Sequence, residues 1–167
     1  MGEKLFIRQT GDSLIATYDK GNVSNNTLHS IYPLDTNESV SLYYLLGVIN
    51  SKLLNWYYKI VNYLEVGKPM AEVKGIYIRK LPVATADIVI MESVEVYVKE
   101  LMELCSRRYL TKQEFITFII NAYEPRKISE QLDHFYDNSF KDFCVELKKQ
   151  KVKLTASQQM ELLPLFD

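Results

Sequence analysis

The chain has 167 residues, of which 47% are hydrophobic and 25% charged, and its formal net charge is -1. That length allows one good core or two small lobes but not several domains, and the composition is that of an ordinary soluble globular protein. A polycation is excluded, and so is a membrane-spanning run, because Asn, Ser or Lys interrupts every long apolar stretch. No signal peptide is evident, so a cytoplasmic protein without a membrane partner is expected. Charge is unevenly spread: residues 1–82 hold nine Lys or Arg against seven Asp or Glu, and the remainder holds eleven against fourteen. A nucleic-acid face on the first half is permitted by this asymmetry but not required. Twelve tyrosines suit half-buried interfaces and suit a shallow core equally well. Cys105 and Cys144 lie far from any His–Cys spacing and read as buried thiols of a reducing compartment. Met1-Gly2-Glu3 runs almost directly into a strand pattern, so the native protein is expected to extend upstream.

In chain order, Lys4–Arg8 reads as a strand, Gln9-Thr-Gly-Asp12 as a turn and Ser13–Tyr18 as a second strand. Asp19-Lys-Gly-Asn22 is a further turn, so a hairpin is predicted, followed by a polar segment, Val23–Tyr32, that Pro33 ends. Residues 41–62 carry Leu42, Leu45, Leu46, Ile49, Leu53, Trp56, Tyr57 and Ile60 at spacings of three and four, which predicts one helix capped by Ser41. A Gly-Pro loop, Glu65–Met70, precedes a predicted short strand within Ala71–Pro82. Helical periodicity then covers 88–109. Thr111-Lys-Gln-Glu114 reads as a capping box opening a helix over Lys112–Tyr123, and another helix is predicted over 129–149. Thr155-Ala-Ser-Gln158 caps a last turn of helix. The expected architecture is α+β: a small mixed sheet packed on a long helix at 1–84, then a helical lobe at 85–167.

Catalytic signatures are missing. The five prolines are never adjacent, which rules out the Asn-Pro-Pro-Tyr motif of amino-methyltransferases. The six glycines form neither G-x-G-x-x-G nor a P-loop, and two histidines are too few for common zinc hydrolase sites. Glu72-Val-Lys74 and Glu146-Leu-Lys148 match only the tail of the metal-dependent nuclease pattern, without its Asp on a nearby strand. Neither catalysis nor a resident metal is therefore expected.

The hairpin and the segment after it concentrate groups suited to base edges. Arg8 has the fork that pairs with guanine, and Gln9, Asn22, Asn25 and Asn26 have the amides that pair with adenine. Thr10 and Thr27 offer hydroxyls, and Asp12 and His29 complete the polar set. Lys20, Lys68, Lys74, Arg79 and Lys80 are candidate phosphate partners. The same residues also serve as ordinary turn formers and solvated surface, Asp12 as a turn cap and His29 as a half-buried, hydrogen-bonded residue.

Four ordered blocks carry a resemblance. Lys4-Leu-Phe-Ile-Arg-Gln-Thr-Gly-Asp12 followed by Ile15-Ala-Thr17, then Asn26-Thr-Leu-His29, Tyr44-Leu-Leu-Gly-Val-Ile-Asn-Ser-Lys-Leu-Leu-Asn55 and Ile76-Tyr-Ile-Arg-Lys-Leu-Pro82 closely resemble the C-terminal specificity domain of TaqI-like enzymes. Those enzymes are type IIG restriction-modification proteins and adenine-N6 methyltransferases. Lys127–Tyr136, Phe140–Leu147 and Leu154–Phe166 resemble the tail of longer type IIG enzymes. One departure is the segment between Asn62 and Lys74, which lacks the family's hydrophobic-proline approach to its final strand.

What the resemblance implies is non-catalytic recognition of double-stranded DNA by a fragment of a larger protein. Upstream methyltransferase or endonuclease domains would bind S-adenosylmethionine and Mg, and flip the adenine. By position, the Arg8–Asp12 and Asn22–His29 blocks fall in the recognition strands and loops. A different expectation attaches to the helices of 88–149, which have the form of a protein-interaction module docking restriction-modification subunits.

Overall fold

A computed structural model describes residues 2–24, 26–33 and 40–166. The chain folds as two units, Met1–Glu103 and Leu104–Asp167. The class is α+β, with a small antiparallel sheet and, among the described residues, seven helices.

The first unit is built on β1 (Glu3–Arg8), which lies between β2 (Ala16–Lys20) and β3 (Leu28–Ile31), antiparallel to both. Lys4, Leu5, Phe6 and Ile7 are all buried, as expected of a central strand covered on both faces. Leu5 and Ile7 enter a core with Leu14, Leu46, Ile49, Tyr58, Val73 and Val98. Lys4 stands directly opposite Asp19 in the register, with Nζ 2.9 Å from its carboxylate. The Asn22 amide, first, and the Lys4 ammonium hold the Asp19 carboxyl at about 2, below the usual range. Asp19 also accepts from the backbone N–H groups of Gly21 and Asn22, closing the predicted turn, where Gly21 has φ +112°.

The single helix predicted over 41–62 is two. α1 (Leu42–Asn50) ends and α2 (Lys52–Val61) begins at Ser51, whose ψ of 149° breaks the ladder. The Ser51 hydroxyl accepts from Leu54 N at 3.1 Å, and its own N–H donates to the Val48 carbonyl. A serine that caps in this way competes with helix continuation. The break resets the phase: α2 buries Leu54 and Tyr58, and Leu53, Trp56 and Ile60, members of the predicted apolar stripe, are exposed. α1 crosses close to α4 (Ile88–Tyr123) through Gly47, where a Cβ would come within 2.9 Å of Val98.

The strand expected within 71–82 is also replaced. Only Glu72 forms a β-bridge, with Thr10 just beyond β1, and Gly75–Ile78 forms one helical turn, α3. Lys74 is the last extended residue before that turn. Downstream, α4 is continuous through Thr111, so the predicted capping box does not open a new helix there. The motif acts only where its first residue is extended, and Thr111 lies within the i→i−4 ladder.

In the second unit the helix expected over 129–149 is interrupted. α5 (Glu130–Asp133), a 3-10 turn at Phe135–Asp137 and α6 (Phe140–Lys149) replace it. Ser129 and Ser139 each cap a helix start. α7 (Ala156–Leu162) opens on the predicted Thr155/Gln158 capping box. The core gathers Ile119, Leu132, Phe143, Leu147, Val152 and Leu162. Cys105 is exposed and Cys144 partly so, which corrects the expectation of two buried thiols: α4 turns Cys105 toward solvent.

Glu146 is buried in this unit and accepts from Ser129 Oγ at 2.8 Å, Gln150 Nε2 at 3.1 Å and Lys149 Nζ at 2.8 Å. The Lys149 ammonium, first, and the Ser129 hydroxyl hold its carboxyl at about 2. A depressed folded value means that the unfolded chain binds the proton more readily. The stabilisation is therefore complete above the unfolded value of 4.5 and is lost as pH falls toward about 2. Denaturant midpoints measured across that window are expected to fall for the wild type and to change less for Glu146→Gln; parallel curves would contradict the assignment.

Candidate nucleic-acid interface

β1 leaves the core at Arg8, and the chain then turns through Gln9-Thr-Gly-Asp12 at one end of the sheet. Arg8 is registered with Leu28, and Gln9 N donates to the Thr27 carbonyl at 3.0 Å, so Asn26 and Thr27 lie beside this turn. On its other side Gly11 N donates to Ala71 O and Val73 N to Gln9 O, both at 2.7 Å. Three separate stretches of chain thus meet at one sheet end. Gly11 has φ +131°, and a Cβ there would stand 2.7 Å from Arg8 Nη2. Only glycine lets the guanidinium lie across the turn in this way. Arg8, Thr10, Asn26 and Thr27 are exposed, Gln9 and Asp12 half-buried, and Asn25 lies outside the described residues.

The segment behind this turn is basic, with six Lys or Arg and two acidic residues over 52–80. Glu65 is its hub. Its carboxylate, 9% exposed, accepts from Lys74 at 3.0 Å, Lys68 at 3.3 Å and Glu72 N at 3.3 Å. Hydrogen bonding to Lys74 and then Lys68 holds the Glu65 carboxyl below the usual range, and the same contact raises Lys74. Two lysines are in this way ordered by one carboxylate, leaving a net positive charge at the surface. Lys59 approaches Asp12 at 4.0 Å, and the Asp12 carboxyl is lowered chiefly by the Ser13 hydroxyl at 2.8 Å. Arg79 and Lys80 are exposed at the end of α3, with no carboxylate within 4.0 Å among the described residues. α3 starts against His29: a Cβ on Gly75 would lie 3.7 Å from the ring. His29 Nε2 donates to the Val73 carbonyl at 2.6 Å, which commits that nitrogen to the backbone and fixes the tautomer.

Lys20 and Asn22 are not part of this cluster. Lys20 is registered with Glu3, at the opposite end of β1, and Asn22 is bound into the Asp19 turn. Four contributors escape a reading of the sequence: Lys59, Glu65, Asn50 and Asn55. Asn55 Oδ1 accepts from Leu14 N at 2.7 Å, and Asn50 exchanges two hydrogen bonds with Ala16, so α1 and α2 hold the hairpin by its backbone. The available signal is polarity in an otherwise apolar helical stretch, at Asn50 and Asn55 on either side of the Ser51 break.

The fragments of nuclease pattern are absorbed structurally. Lys74 is bound to Glu65, and Glu146 to Ser129, Lys149 and Gln150. Among the described residues no three His, Cys, Asp or Glu side chains come together as a metal site, and no helix is long and apolar enough to cross a membrane.

An exposed Arg–Thr–Asn edge, held on a rigid sheet and backed by lysines, is the arrangement with which proteins contact a duplex: cations to phosphates and polar forks to bases. Known families point the same way. Residues 1–83 match the TaqI-like C-terminal specificity domain and belong to that family. At family level these residues are a DNA-recognition domain of restriction-modification enzymes. Residues 88–167 match a second family, described as a domain of unknown function (DUF8810). Neither the curated proteins nor the solved structures gave a match.

Proposed function

We propose that the chain reads duplex DNA sequence through the sheet end bearing Arg8, Gln9, Thr10, Asn26 and Thr27, with phosphate contacts from Lys59, Lys68, Lys74, Arg79 and Lys80. The carrying observation is that three distant stretches bring these groups to one end of a buried central strand. The chain would act within a larger restriction-modification protein, an adenine-N6 methyltransferase of type IIG. Upstream domains would hold S-adenosylmethionine and Mg and do the chemistry, and this chain would contribute no catalytic group. A cytoplasmic location accords with that role.

The chain by itself binds DNA weakly and without sequence preference under this reading, because its partner domain supplies half the clamp; non-specific Kd values are roughly 10⁻⁴–10⁻⁶ M. Sub-nanomolar, sequence-specific binding would contradict it. Filter binding over a salt series tests the placement. Arg79→Gln with Lys80→Gln should flatten the dependence of log Kd on log salt by about 1.8, whereas Lys20→Gln at the other sheet end should leave it unchanged. The reverse pattern would put DNA elsewhere.

A second reading concerns α4, which exposes Ile90, Tyr97 and Leu101 along one side. These suit assembly with another restriction-modification subunit. Sedimentation of Tyr97→Ser/Leu101→Ser with the intact parent proteins, showing undiminished assembly, would sink it.

A further inference from the structure

The sheet end leaves the second unit without a role, yet that unit carries its own basic groove. A cavity of about 410 Å³ runs beside α4 and is lined by Leu104, Arg107, Arg108, Lys112, Phe135 and Tyr136. Its floor is apolar and its rim cationic. Residues 104–113 contain three basic and no acidic side chains. Lys112 is ordered by Asp133 at 2.6 Å. Arg107 and Arg108 are exposed, and among the described residues neither has a carboxylate within 4.0 Å. The Arg108 guanidinium lies over the Tyr136 ring, its carbon 4.5 Å from the centroid. A cation–π contact of this kind restrains an exposed guanidinium without using up its N–H donors, which remain able to fork onto a phosphate.

We infer that this groove binds the phosphodiester backbone of DNA, with Arg107 and Arg108 on phosphates, Lys112 adding charge and the apolar floor against the sugar edge. The occupant follows from charge: two unpaired arginines and an ordered lysine call for a polyanion, and the family of the first unit brings the chain to one. The inference rests on the proposed DNA reading and extends it to the part of the chain that matches a domain of unknown function. Such contacts position a protein on the duplex without reading sequence.

The test uses the whole chain and unrelated duplexes of equal length. Arg107→Gln/Arg108→Gln should weaken every duplex alike, by about tenfold at low salt, and flatten the salt slope by about 1.8. Lys141→Gln/Lys148→Gln is the charge-matched control. It removes two exposed lysines from a separate cavity on α6, and it should have little effect. Arg108→Lys keeps the charge but loses the fork and should give an intermediate loss. Equal losses from the arginine and lysine pairs would reduce the effect to bulk charge and overturn the inference. So would flattening by Arg79→Gln/Lys80→Gln with none from the arginine pair, an outcome that leaves the sheet-end reading standing. No DNA binding by the wild-type chain would overturn both. Tighter retention of a polyglutamate peptide than of DNA would make the groove a site for acidic protein instead and overturn it as well. Circular dichroism should be unchanged in all variants, because these side chains lie at the surface.

Discussion

Replacing Tyr58 by alanine is expected to destabilise the chain by about 3–5 kcal/mol, read as a lowered denaturant midpoint. Tyr58 is fully buried where α2 packs against the sheet, in one cluster with Leu5, Ile7 and Val73. Removing the ring opens a cavity in a core whose strand is already covered on both faces. Tyr58→Phe separates packing from hydrogen bonding. The Tyr58 hydroxyl accepts from Asn62 Nδ2 at 2.7 Å, and Asn62 is itself buried, with its backbone carbonyl taking the Glu65 N–H. Without the hydroxyl, the Asn62 amide keeps only a long 3.4 Å bond to the Glu72 carbonyl. A buried donor left this poorly paired costs about 1–3 kcal/mol. The loop it anchors carries Lys68 and Lys74, so DNA binding should weaken although no charge has been removed. A Phe variant with wild-type affinity would show that the Glu65 hub orders the lysines unaided.

The second large effect is expected at Phe143, where Phe143→Ala should cost about 3–5 kcal/mol. The ring is 2% exposed and touches Phe115, Phe140 and Phe166, with centroids 5.9, 6.5 and 4.9 Å away. These pairs join α4, α6 and the C-terminal residues into one cluster. Each aromatic pair adds about 0.5–1.5 kcal/mol beyond area, so Phe143→Leu should recover only part of the loss. Heat unfolding followed at Phe- and Tyr-sensitive wavelengths reads both variants; a Leu variant equal to wild type would reduce the cluster to generic burial.

Several features are legible in the residue order alone. The hairpin turns announce themselves through Gly11 and Asp19, whose backbone freedom and side-chain bonds are local properties. The Thr155/Gln158 box likewise needs only four consecutive residues. Helix continuity departs from the sequence expectation in both directions for one reason. Ser51 and Ser139 interrupt helices, and Thr111 does not, because a short hydroxyl either caps or stays inside the ladder according to what its flanks must bury. The apolar spacing over Leu53, Trp56 and Ile60 predicts burial, yet all three are exposed, since a break of one residue rotates everything after it.

By itself the sequence determined the α+β class, the family of the first 83 residues and the residue types available to a DNA-reading surface. These depend on local order and composition, which survive without a fold. Only the tertiary structure decided which polar residues share a place. Arg8 and Asn26 meet at one sheet end, while Lys20 and Asn22, equally eligible by type, fall at the other, because β2 and β3 flank β1 and run parallel to each other, so the end of β2 and the start of β3 lie at opposite ends of the sheet. The contact of Arg108 with the Tyr136 ring is likewise a long-range pairing, which no spacing along the chain foreshadows.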